Sequence, residues 1–170
     1  MNYIFKLLLT LSSTFFMIII YCVKEETTVY EMPYFLFHIF LVIFCIILSN
    51  FTIYISRYLS CEELNECREI SIADYEFLPV YLGYFFVALS TNNYYTFICS
   101  YSLVFWFSYL SQMQYYNPVF LILGYHYYNV KTVSGTNVFI LKRGPIIRNA
   151  NVVSFNSLRR LNDCTYIEKR

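Results

Sequence analysis

The chain has 170 residues, of which 58% are apolar and only 14% charged, with 19 Tyr and 17 Phe making most of a 22% aromatic fraction. Soluble domains average about 25% charged residues, and disordered chains are poor in apolar and aromatic side chains. Disorder is therefore excluded. The formal net charge of +1 says little until the charges are placed along the chain.

Seventeen uncharged residues separate Lys6 from Lys24, and 25 separate Glu31 from Arg57. A helix needs about 20 mostly apolar residues to cross a hydrocarbon core of about 30 Å, so each window is read as one span, over 4–23 and 34–56. The first window follows a lysine, as a secretory signal does. Its exit, Tyr21-Cys22-Val23-Lys24, has no small-x-small cleavage pattern, and it is read as an uncleaved helix.

Between Glu76 and Lys131 lie 54 further uncharged residues. An apolar run over 77–90 is broken by TNNYYT and resumes to Met113, which predicts spans over 77–92 and 96–114 joined by a turn at Asn92-Asn93. Pro79 falls near a helix start, where a missing N–H is tolerated. A re-entrant hairpin of two half-helices is the competing geometry.

From Pro118 the composition turns aromatic and β-branched, interrupted at SGTN (134–137), which predicts a β-hairpin with one strand within 120–133 and another near 137–142. A third strand is expected at 151–155, a helical turn in SLRRLND (157–163), and a last element in TYIEK (165–169). The fold class expected is thus a membrane α-helical protein. It has four transmembrane helices over 1–117, a cytoplasmic loop at 57–76, and a small basic β-rich module over 118–170.

With four spans and a cytoplasmic amino terminus, the inner segments hold 11 of the 12 basic residues and leave Lys24 alone outside. The positive-inside rule favours this orientation, with both termini cytoplasmic. The loop carries Glu62, Glu63, Glu66, Glu69, Asp74 and Glu76 against Arg57 and Arg68. The tail carries eight basic residues against Asp163 and Glu168. Opposite charges on one side of the membrane point to loop–tail contact or to partner docking. The candidate residues are Arg143, Arg148, Arg159 and Arg160 in the tail, and Glu62, Glu63 and Glu66 in the loop. A simpler reading keeps the loop solvated and the tail attracted to anionic lipid, at about 1 kcal/mol per basic residue near the surface. Tail aromatics interleaved with basic residues fit strand spacing better than a nucleic-acid stacking surface, so direct nucleic-acid binding is not expected.

Catalytic and metal chemistry find little support. Cys61 and Cys67 are not spaced as a CxxC pair, and His38 and His126 are distant from them. Zinc needs four well-placed ligands. His38 lies inside the second span, where an ionisable group is a functional candidate by default. Without a charged neighbour in any span it reads more simply as an imidazole hydrogen-bonded to an adjacent helix. Ser12, Ser13, Thr14, Ser49, Asn50, Thr52, Ser100, Ser102 and Ser108 read as interhelical glue. No nucleophile–base pair, phosphate loop or HExxH appears, so neither an enzyme nor a cofactor is expected.

The strings LLLTLSSTFFMIIIY, YHYYNVKTVSGTNVFILKR and SLRRLNDCTYIEK resemble the KwaA family, small membrane subunits of the bacterial Kiwa anti-phage defence system. The resemblance covers the whole chain and rests on architecture and sequence texture, so it transfers no functional residue. It implies an inner-membrane, non-enzymatic sensor and scaffold that oligomerises, contacts membrane lipids and recruits a cytoplasmic DNA-binding effector, KwaB-like. The alternative is a membrane immunity protein that blocks a pore-forming toxin by helix–helix contact. Scarcity of small residues in so aromatic a chain leaves bulky helix faces that self-association would cover.

Overall fold

A computed structural model describes residues 3–26, 33–64, 67–111, 116–133, 135–146, 155–161 and 164–168. The chain runs α1 (Tyr3–Lys24), α2 (Tyr34–Ser56), β1 (Cys61–Leu64), β2 (Cys67–Ile72), α3 (Leu78–Ser90), α4 (Tyr94–Ser111), α5 (Pro118–Ile122), β3 (Tyr125–Thr132), β4 (Asn137–Arg143), β5 (Phe155–Arg160) and β6 (Thr165–Glu168). It divides into two units. One comprises Ile53–Glu76 and Pro118–Arg170 with the first two residues, and the other comprises Tyr3–Thr52 and Phe77–Asn117.

The expected four-span helical bundle is not what forms; the described residues make a mixed fold of five helices and a mixed sheet. Among the described residues two helices, α1 and α2, are long and apolar enough to cross a membrane. At about 1.5 Å per residue, the 13 residues of α3 reach only about 20 Å. The 18 residues of α4 are long enough, but hydroxyls dilute them: Tyr94, Tyr95, Thr96, Ser100, Tyr101, Ser102, Ser108, Tyr109 and Ser111.

Within the helical unit, α2 buries small and polar side chains and turns large apolar ones outward. On α2 the buried stripe is Cys45, Ser49 and Thr52, while Phe40, Ile43, Ile47 and Phe51 are exposed. A water-soluble helix does the reverse, whereas helices that pack in lipid meet through small and hydroxyl residues. Met17, Tyr21, Ala88 and Phe97 join α1, α3 and α4 in a core, with the Tyr21 and Phe97 rings stacked at 3.8 Å. Asn93 caps α4 by accepting the Tyr95 N–H at 3.1 Å. Lys24 donates to the Thr91 carbonyl and, at 3.0 Å, to Asn92 Oδ1, so the end of α1 holds the α3–α4 turn. At the opposite end of α1, Lys6 lies 4.6 Å over the Tyr109 ring.

The glue residues divide into two groups. Asn117, fully buried, donates to Ser12 Oγ at 3.3 Å and Ser49 Oγ at 3.2 Å, tying α1 to α2. Thr14 meets the Tyr101 hydroxyl at 3.2 Å, and Ser108 that of Tyr84 at 3.0 Å. Asn50, Thr52 and Ser102 instead donate to carbonyls of their own helices. His38 does likewise: Nδ1–H donates at 2.6 Å to the Tyr34 carbonyl one turn back, not to a neighbouring helix.

The other unit is a six-stranded sheet of order β1-β5-β6-β4-β3-β2, antiparallel except for the parallel β4–β6 pair. Its two edges, β1 and β2, come from the segment expected to be a loop. Laid flat, six strands at about 4.8 Å spacing would set those edges about 24 Å apart. Only three Cα steps separate Leu64 from Cys67, at most about 11 Å. Covalent connectivity therefore forces the sheet to curl until its edges approach. One face of the sheet carries the core: Tyr128, Val130, Val138, Ile140, Phe155, Leu158 and Tyr166 form one cluster with Cys67, Ile70 and Ile72. Each such side chain contributes about 1.5–3 kcal/mol on full burial.

The β3–β4 hairpin closes at Gly135, whose φ of 85° a side chain would resist. SLRR (157–160), expected to begin a helical turn, lies in β5, because Leu158 points into the core opposite Glu168. The expected strand at 151–155 lies mostly outside the described residues.

Candidate functional site: an arginine-lined cleft

The outer face of the curled sheet carries the alternate residues. The register pairs Tyr125 with Arg143, Tyr127 with Leu141, Leu141 with Ile167 and Ile167 with Arg159, which aligns all six on one face. Tyr127, Leu141 and Ile167 are buried there, and Phe120 of α5 lies 6.5 Å from the Tyr125 ring. Beside them the last turn of α2 and its exit supply Ile53, Ser56 and Arg57. Together with Tyr125, Arg143, Arg159, Ile167 and Glu168 they line a cleft of about 390 Å³.

Three arginines thus line one cleft from segments separated by up to about a hundred residues. Arg143 lies 5.8 Å from the Tyr125 ring and Arg57 5.5 Å from the Tyr54 ring, both solvent-exposed. Such stacking orients an arginine while leaving its five donors available. Arg159 is half-buried; Nη1 donates to the Leu59 carbonyl, and its buried Nε has no hydrogen-bond partner among the described residues. Glu168 is held by Lys142 at 2.8 Å, so its charge is compensated. The cleft is net positive.

Of the tail candidates, the cleft brings together Arg143 and Arg159. Arg160 is exposed on the next strand position, its N–H donating to the Ser60 carbonyl at 3.1 Å. Arg148 and Glu66 lie outside the described residues. Glu62 and Glu63 are in β1, with Glu62 opposite Leu158. Acidic segment and basic tail are joined by backbone pairing, β1 to β5 and β2 to β3, with Glu69 opposite Lys131. Asp74 adds a second tie: Oδ1 accepts the Tyr127 N–H and Oδ2 meets His126 Nδ1, both at 2.7 Å.

In the sequence Arg57 stands only as one of the loop's charges, and neither Tyr125 nor Glu168 carries a site signal. Counting pairs outward from the hairpin turn would have placed Tyr125 opposite Arg143, but no local pattern brings Arg57 or Arg159 to them. Burial raises the pKa of Cys67, which faces the core, while Cys61 is exposed. Among the described residues no group of three His, Cys, Asp or Glu is placed to hold a metal.

A family model described as anti-phage protein KwaA matches residues 5–167, nearly the whole chain. No curated protein and no solved structure matches it. The chain belongs to the KwaA family of anti-phage proteins, and its role is in defence against phage.

Proposed function

We propose that this chain is a non-enzymatic sensor and scaffold subunit of a Kiwa-type defence complex, anchored in the bacterial inner membrane, self-associating, and recruiting a cytoplasmic DNA-binding effector through its sheet. The observation that carries this reading is the sheet itself. Segments 57–76 and 118–170 contribute strands to one sheet, so both occupy one side of any membrane. Together they hold ten of the 12 basic residues, which supports the cytoplasmic side. The outward apolar face of α2 supports lipid or a second copy as its neighbour. Membership in an anti-phage family supports defence over toxin immunity.

The test is affinity capture of the tagged full-length chain from membranes co-expressing the effector encoded beside it. Reversal of Arg160 to Glu, an exposed position outside the cleft, is expected to weaken co-capture while leaving membrane insertion unchanged. Undiminished co-capture by that variant would refute recruitment through the basic sheet. Light scattering in mild detergent is expected to give a mass above one copy, and a monomer would count against self-association.

A further inference from the structure

The cleft has a chemistry that effector recruitment does not use. Arg57, Arg143 and Arg159 line about 390 Å³ of space, within the range of about 300–1,000 Å³ usual for small-molecule sites. Guanidinium forks match tetrahedral oxyanions bidentately. None of the three is paired with a carboxylate among the described residues, and the acid that lines the cleft, Glu168, has its carboxylate held by Lys142 at 2.8 Å. The second, independent observation is Arg159 Nε, a buried N–H without an acceptor among the described residues, which a bound oxyanion would satisfy.

We propose that this cleft binds a phosphate group, and that its source is the headgroup of an anionic phospholipid. One wall is the last turn of α2, a helix long and apolar enough to cross a membrane, so the cleft opens where such a helix leaves the hydrocarbon and phosphates concentrate. Ile53 and Ile167 provide apolar surface for the glycerol end, and Tyr125 a ring edge with a hydroxyl. The inference rests on the cleft and on α2, and is independent of whether an effector is recruited.

The experiment uses full-length protein in detergent and compares wild type with Arg57→Gln, Arg143→Gln and, as a control of equal charge change, Lys131→Gln, an exposed residue of β3 outside the cleft. Arg159 is left intact because it also holds the Leu59 carbonyl. Native mass spectrometry measures retention of phosphatidylglycerol over phosphatidylcholine, and a thermal shift measures binding of inorganic phosphate. Wild type is expected to retain phosphatidylglycerol selectively. Each cleft arginine removed should weaken retention about tenfold, the scale of one charge-assisted hydrogen bond, with Lys131→Gln unchanged. Stabilisation by inorganic phosphate that is lost in the cleft variants, without selective lipid retention, would keep the phosphate site but overturn the lipid as its source. Equal retention by all variants, or an equal loss in Lys131→Gln, would mean diffuse attraction and overturn the proposal.

Discussion

Replacing Asp74 tests how the acidic segment is held to the tail. Its carboxylate accepts the buried Tyr127 N–H through Oδ1 and meets His126 through Oδ2, each at 2.7 Å. The Ala73 N–H donates to the Tyr127 carbonyl at 2.9 Å, so β2 and β3 are stapled just beyond their last register pair. Asp74→Ala leaves the amide of fully buried Tyr127 without this acceptor, at about 1–3 kcal/mol. Loss of the His126 contact adds less, because both side chains are about a quarter exposed (25% and 22%) and solvent screens the pair. A total of about 2–3 kcal/mol is expected. Asp74→Asn keeps an oxygen for the Tyr127 N–H and should cost about 1 kcal/mol or less. Hydrogen exchange of peptides covering β2 and β3 reads the difference directly. A loss of about 2 kcal/mol in local stability accelerates exchange about 30-fold, so Ala should exchange faster than Asn, and Asn only slightly faster than wild type. Equal exchange for Ala and Asn would refute the argument that the Tyr127 amide carries the cost.

Two further outcomes follow from burial. Asn117→Ala removes hydrogen bonds to Ser12 and Ser49 and is expected to destabilise the helical unit by about 1–2 kcal/mol, read as an earlier midpoint in denaturing-detergent titration; an unchanged midpoint would show the bonds are not stabilising. Maleimide at neutral pH should label exposed Cys61 and Cys164 before Cys67. Burial raises the Cys67 pKa, so it holds little thiolate at neutral pH, and its labelling should rise as the pH is raised. Equal labelling of all three would contradict its place in the core.

Much of the chain is legible locally. Uncharged windows mark α1 and α2 because length and hydropathy are properties of contiguous residues, and the alternation around SGTN marks β3 and β4 for the same reason. Period and punctuation mislead where tertiary partners decide. Residues 61–72, rich in glutamate and lacking a strong alternation, read as a solvated loop. Cys61–Leu64 and Cys67–Ile72 become edge strands because the tail offers two unpaired edges. SLRR reads as helical from its leucine and arginine propensities, yet Leu158 is drawn into a β core. In the third window apolarity persists while length fails in α3 and hydroxyl content rises in α4, so a count of uncharged residues overstates the spans.

What the sequence determines by itself is which segments shun water and where the charges stand, since both depend only on neighbours along the chain. The meeting of Arg57, Arg143 and Arg159 is decided by the tertiary structure alone. Strand order and register, set by the curl of the sheet and its shared core, bring together residues as far apart as 57 and 159. No local interaction encodes that approach.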